Sequence, residues 1–151
     1  MQVRPIDLEL TRPLRQAVLR PHQSAGALAA HETPGAFAVG AYDDRGELVA
    51  VGFVAPSEGE RGAWRVRGMA TAPEARGRGA GTAVLDVLVA HALERGATRV
   101  WANVRVRART LYERRGFAVV SEQFELPEIG PHLVMELSAD GAAPRLEPSR
   151  R

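Results

Sequence analysis

The chain has 151 residues, 45% hydrophobic and 25% charged, enough for one globular domain that buries roughly 70% of its unfolded surface, and no apolar run approaches the ~20 residues a membrane helix needs. With no cysteine, disulfides, thiolate metal ligands and a cysteine nucleophile are excluded. The pI of 9.9 accompanies a formal charge of only +2, and all 20 basic residues are arginine, so nothing titrates between the histidines and amino terminus and the tyrosines near pH ~10. A small positive excess then drives the pI up, which removes it as a sign of nucleic-acid binding.

The segment from Met1 to Pro5 leads into charged residues rather than an apolar signal core, so a cytoplasmic location is expected. Gln2 to Pro5 reads as a first strand. Thr11 to Arg20 has helical periodicity, with Leu14, Val18 and Leu19 on one face and Pro13 tolerated in the first turn. Ser24 caps a short helix running to His31. Ala36 to Tyr42 and Glu47 to Val54 form a hairpin about the turn Asp43-Asp44-Arg45-Gly46. Pro56 to Gly62 is a polar loop, where Glu58 and Glu60 are expected to be solvated, and Trp64 to Thr71 is the next strand.

A long helix is predicted from Gly79 to Arg95, its stripe built on Leu85, Leu88 and Ala92, with Gly96 ending it. Arg99 to Asn103 is a short strand, and Val106 to Arg115 a helix closed by Gly116. Phe117 to Phe124 and His132 to Leu137 are two last strands. The expected domain is 1–137, with 138–151 a disordered tail rich in Pro, Ala and Arg. The order β-α-α-β-β-β-α-β-α-β-β implies an α/β (α+β) fold, with a mixed sheet covered by helices.

Chemistry concentrates first in Arg76-Gly77-Arg78-Gly79-Ala80-Gly81-Thr82. Glycines leave backbone N–H groups unshielded just where a strand ends and a helix opens. Helix N-termini offer unpaired donors and roughly half a positive charge, which suits a diphosphate. Arg76 and Arg78 add fork-shaped cationic donors. A dinucleotide fingerprint would need glycine at Thr82, and a nucleoside-triphosphate loop needs a lysine that this chain lacks.

Some thirty residues later comes Ala108-Arg109-Thr110-Leu111-Tyr112-Glu113-Arg114-Arg115-Gly116-Phe117. Together, Arg76-x-x-Gly79-x-Gly81 and this segment resemble the GNAT superfamily of N-acetyltransferases, from about Ala36 to Leu137. The resemblance implies a mostly antiparallel sheet whose strands splay at the coenzyme site. It implies acetyl-CoA as co-substrate, bound through its diphosphate by Arg76, Gly77, Arg78, Gly79, Ala80, Gly81 and Thr82. Backbone of Met69, Ala70 and Thr71 would receive the pantetheine arm as an added strand does, with Asn103 adding a side-chain bond. Arg107 and Arg109 are candidates for the coenzyme's 3′-phosphate. Tyr112 would be the general acid that protonates the departing thiolate. Many members carry asparagine where this chain has Arg105, while a subgroup has it at position 103.

An amine nucleophile must shed a proton before attack, so a base is expected. His132 is the candidate named for it, with Glu122, Glu125 and Glu128 nearby in sequence. Four scattered histidines make no metal site, so no metal is expected. The implied acceptor is a small-molecule or peptide amine, with no nucleic-acid or membrane partner, and relatives often form homodimers. The competing functional class is a non-catalytic acyl-CoA-binding or regulatory domain.

Overall fold

In the computed structural model, which describes residues 1–139, the eight strands are β1 (Gln2–Ile6), β2 (Phe37–Tyr42), β3 (Leu48–Pro56), β4 (Ala63–Thr71), β5 (Arg99–Arg105), β6 (Ala118–Val119), β7 (Phe124–Leu126) and β8 (Gly130–Ser138). They hydrogen-bond in the order β1-β2-β3-β4-β5-β8-β6, with β7 also on β8. The β1–β2, β2–β3, β5–β8, β6–β8 and β7–β8 pairs are antiparallel and β4–β5 is parallel. The fold is thus the expected mixed, mostly antiparallel α/β sheet with flanking helices. Contacts divide the chain into two compact units. One is Met1–Ala55 with Val66–His91; the other is Pro56–Arg65 with the described residues from Ala92 onward. Among the described residues no helix is long and apolar enough to cross a membrane.

In the first unit, Val39, Val51, Phe53 and Val54 on β2 and β3 are buried, as are Val84, Leu85 and Leu88 on the long helix α3 (Ala80–Glu94). Each such side chain contributes about 1.5–3 kcal/mol when fully buried. The predicted helix from Thr11 to Arg20 is not uniform. A 3-10 turn at Leu8–Thr11 leads into α1 (Arg12–Leu14) and then a π-helical turn at Arg15–Leu19, closed by the Arg20 N–H on the Arg15 carbonyl at 3.1 Å. Its buried face also differs from the periodicity: Leu14, Val18 and Leu19 are half-buried, whereas Thr11 and Arg15 are buried. Arg15 tolerates this because its guanidinium donates to Glu32 at 2.6 Å and to the Leu28 carbonyl at 3.2 Å. The next helix, α2 (Ala25–Ala29), is shorter than predicted but is capped as expected, the Ser24 hydroxyl accepting the Ala27 N–H at 3.1 Å.

In the second unit the β4–β5 ladder covers only Ala63 to Arg65 against Arg99 to Trp101, although the strands extend to Thr71 and Arg105. By contrast β5 and β8 pair along all seven residues of β5. Trp101, Val120, Phe124 and Val134 form a buried cluster, and the Trp101 indole donates to the Ser57 hydroxyl at 2.8 Å. The strand expected from Phe117 to Phe124 is two strands, β6 and β7. At the break, the Val134 N–H donates to the Ser121 hydroxyl at 2.8 Å, a side chain standing in for a backbone carbonyl. Glu60 is not a solvated loop acid: it accepts from Arg99 at 2.9 Å, and Arg99 also donates to buried Glu136. Ser138 completes β8 and the Ala139 N–H bonds the Thr98 carbonyl at 3.0 Å. The rest of the predicted tail, 140–151, lies outside the described residues.

Candidate active site

The first unit carries the predicted anion loop. Strand β4 ends at Thr71, a short 3-10 turn follows at Pro73–Ala75, and the chain then crosses to α3. Gly77 and Gly79 have φ of 78° and 84°, left-handed values that glycine adopts without strain. The Gly79 carbonyl accepts the Ala83 N–H at 3.0 Å, so Gly79 is the residue that begins the helix. The N–H groups of Ala80, Gly81 and Thr82 lie in the first turn, with no carbonyl of the helix to bond. Arg76, Gly77, Arg78 and Gly79 are exposed, and a Cβ built at either glycine would meet open space. Neither arginine is ion-paired among the described residues. Ala80 and Gly81 are buried and Thr82 is half-buried, yet helix-start donors, a helix dipole and two exposed arginines at one place fit a diphosphate.

Just upstream, Gly68 within β4 has a φ of 66°, immediately before Met69, Ala70 and Thr71. Phe53 and Arg15 pack where a Cβ at Gly68 would stand, so this position requires glycine on two counts.

The second unit holds the other predicted residues. Asn103 pairs with Val134 on β8, and its Oδ1 is buried without a hydrogen-bond partner. A buried acceptor of this kind costs roughly 1–3 kcal/mol unless a donor reaches it. The pantetheine arm contains amide N–H donors of the required type, so this orphan atom fits the coenzyme. A 3-10 turn at Val106–Ala108 leads into α4 (Arg109–Arg114). Gly116, at φ 91°, ends it, with the Phe117 N–H reaching back to the Tyr112 carbonyl at 3.1 Å. Tyr112 is 5% exposed, and burial pushes its phenol well above the usual tyrosine range. Arg109 pairs with Glu113 at 3.3 Å, both half-exposed, and Arg107 is exposed.

His132 is 4% exposed on β8, opposite Arg105 on one side and Phe124 on the other. Its Nδ1 lies 2.8 Å from the Gly130 carbonyl and its ring stacks on Phe124 at 6.0 Å. A carbonyl only accepts, so Nδ1 carries the hydrogen in this contact. Glu122, Glu125 and Glu128 are exposed.

Residues 6–117 match the model of the Acetyltransferase (GNAT) family. The chain belongs to that family. This GNAT protein is 33% identical over 141 residues to the uncharacterized N-acetyltransferase YitI of Bacillus subtilis (strain 168), spanning 89% of this chain and 94% of that protein. Its fold is similar to that of the ribosomal-protein-S18-alanine N-acetyltransferase of Escherichia coli, with a TM-score of 0.71 and 18% identity over 91% of this chain and 92% of the other. A phosphinothricin acetyltransferase of Sinorhizobium meliloti, solved with AcCoA, gives a TM-score of 0.72 and 19% identity over 91% and 87%. The GNAT chain is therefore an acyltransferase of the N-acetyltransferase class. Enzymes of this family use acetyl-CoA and acetylate amines of small molecules or peptides.

Sequence reading passed over a cleft of about 60 Å³ in the first unit, lined among others by Arg15, Arg20, Phe53, Arg67 and Gly68.

Proposed function

We propose that this protein transfers the acetyl group of acetyl-CoA to a primary amine by direct attack, within an acyltransferase domain spanning 1–137 and in the cytoplasm. The observation that carries the reading is the strand, left-handed glycine loop and helix N-terminus at 71–82, in a chain of the GNAT family. Ala80, Gly81 and Thr82 donate backbone N–H groups to the diphosphate, with Gly77 and Gly79 shaping the loop and Arg76 and Arg78 neutralising its charge. Backbone of Met69, Ala70 and Thr71 holds the arm that leads to the thioester, and Asn103 accepts an amide N–H from it. Arg109 turns from Glu113 toward the 3′-phosphate when the coenzyme binds.

Acetyl-CoA, when bound, supplies the activated acyl carbon. His132 Nε2 takes a proton from the incoming ammonium, the nitrogen–carbon bond forms as the carbon–sulfur bond breaks, and Tyr112 passes its proton to sulfur and recovers the second proton that the acylated nitrogen sheds. Burial of the phenol keeps its proton in place at neutral pH.

Calorimetry with acetyl-CoA, followed by thiol release over a panel of amines, tests the reading. Coenzyme binding with amine-dependent release is expected. Binding with no release from any amine would instead favour a non-catalytic acyl-CoA-binding domain.

A further inference from the structure

The helical turn that departs from the predicted pattern also builds a site. Arg15 is 3% exposed and Arg20 and Arg67 are half-buried, and all three line the same cleft beside Gly68. Charge compensation there is incomplete. Glu32 is the acid of the cluster, and Arg12 occupies both of its oxygens, at 2.9 and 3.0 Å, while Arg15 adds a third bond at 2.6 Å. Its carboxyl is thereby held down to about 2, chiefly by the bond from Arg12. Nothing acidic remains for the other two: among the described residues neither Arg20 nor Arg67 has a hydrogen-bonded or ion-paired acid. Burial, and then the repulsion of neighbouring guanidinium groups, lowers the pKa of both. Two partly desolvated cations that face a third without a counter-charge are costly to keep. The cost is offset when an anion enters.

Size and lining narrow the anion. The cleft, at about 60 Å³, holds one small group rather than a whole ligand. Guanidinium forks match the flat two-oxygen face of a carboxylate. Leu28 and the Phe53 ring, the latter 5.0 Å beneath the Arg15 guanidinium, give the cleft apolar walls. Position fixes its role. Arg67 stands two residues before Met69, where the acetyl-transfer reading places the thioester arm, and two strand residues span roughly 7 Å. An amine and a carboxylate separated by a few bonds bridge such a distance.

We propose that the cleft of Arg15, Arg20 and Arg67 binds the carboxylate of the acceptor, so that the acetylated amine belongs to an amino acid with a free carboxylate. This rests on the acetyl-transfer reading and specifies its substrate class. The transfer itself is unchanged: the amine nitrogen gains the acetyl carbon, the thiol leaves with one proton and the base keeps the other.

Two measurements test it independently. In the first, the side-chain Nε–H resonances of arginine are followed as acetate is added, with R20Q and R67Q assigning the signals. Acetate should shift both, and each substitution should weaken the shift of the other. No selective response, or a tighter response to inorganic phosphate than to acetate, overturns the carboxylate assignment. In the second, thiol release from acetyl-CoA is compared between the amino acids and their carboxamides. The acids should be preferred roughly 10- to 100-fold in kcat/KM, and R67Q should erase the preference while turnover of the carboxamides persists. Carboxamides used as well as acids by the unaltered protein overturn the proposal and leave acetyl transfer standing. Acetate binding in a protein that fails to bind acetyl-CoA overturns acetyl transfer and leaves the anion cleft standing.

Discussion

The rings of Tyr112 and Phe117 meet edge to face, their centroids 5.3 Å apart and their planes 87° from parallel, while the Phe117 N–H holds the Tyr112 carbonyl. Ring and backbone together fix the phenol at the end of α4. Tyr112→Phe keeps this packing and removes only the hydroxyl. Turnover should fall roughly 10²- to 10⁴-fold, with acetyl-CoA affinity within about threefold of the original. Unchanged turnover would remove the acid role.

The same burial has a pH consequence. A phenol whose folded pKa is raised contributes stability that is fully present below the unfolded value near 10 and is lost as pH rises beyond it. Alkaline unfolding should therefore set in above about pH 10 and be weaker in Tyr112→Phe. Denaturation midpoints from pH 8 to 11.5 measure this, and parallel curves for the two proteins would refute it.

Glu32 acts at the opposite end of the scale. Its folded pKa of about 2 lies below the ordinary carboxylate value, so its contribution is present above that ordinary value and disappears as pH falls through the folded one. Its side chain is only 7% exposed, and a shift of this size corresponds to about 2–4 kcal/mol. Glu32→Gln should lose that amount at pH 7 and show a flatter stability profile between pH 5 and 2.

Gly79→Ala introduces a side chain into open space, so its effect is conformational rather than steric. A left-handed alanine costs about 1–2 kcal/mol. Relief of that strain reorients the N–H groups of the loop, and acetyl-CoA affinity should drop roughly tenfold while the far-UV circular dichroism stays the same. Full retention of affinity would show that the loop geometry is not what grips the coenzyme.

Ser121→Ala leaves the buried Val134 N–H without its acceptor. The loss should be about 1–3 kcal/mol, read as a lower urea midpoint at constant slope.

These elements also show what sequence pattern conveys. The hairpin at Asp43–Gly46, the glycine loop and helix α3 were legible because each depends on local signals: a turn sequence, left-handed glycines and a continuous apolar stripe. The break at Ser121 was not, since it depends on a hydroxyl meeting an amide thirteen residues away. Arg15 misled for a related reason. Periodicity assigns arginine to solvent, and only the Glu32 carboxylate and the Leu28 carbonyl, both distant in sequence, make its burial affordable. Among the site residues, the loop at 76–82 stood out by composition. Asn103 drew attention as a motif position, but its unsatisfied oxygen is visible only in three dimensions. The Arg20–Arg67 pairing carries no local signature at all.

The terminal strands of the hydrogen-bonding order have a bearing on self-association. At one end β1 contains Pro5, which has no amide hydrogen, and the exposed charge of Arg4; at the other β6 is two residues long. Neither is a good template for an incoming strand. Edge-to-edge pairing of copies of this chain through β1 or β6 is thereby disfavoured.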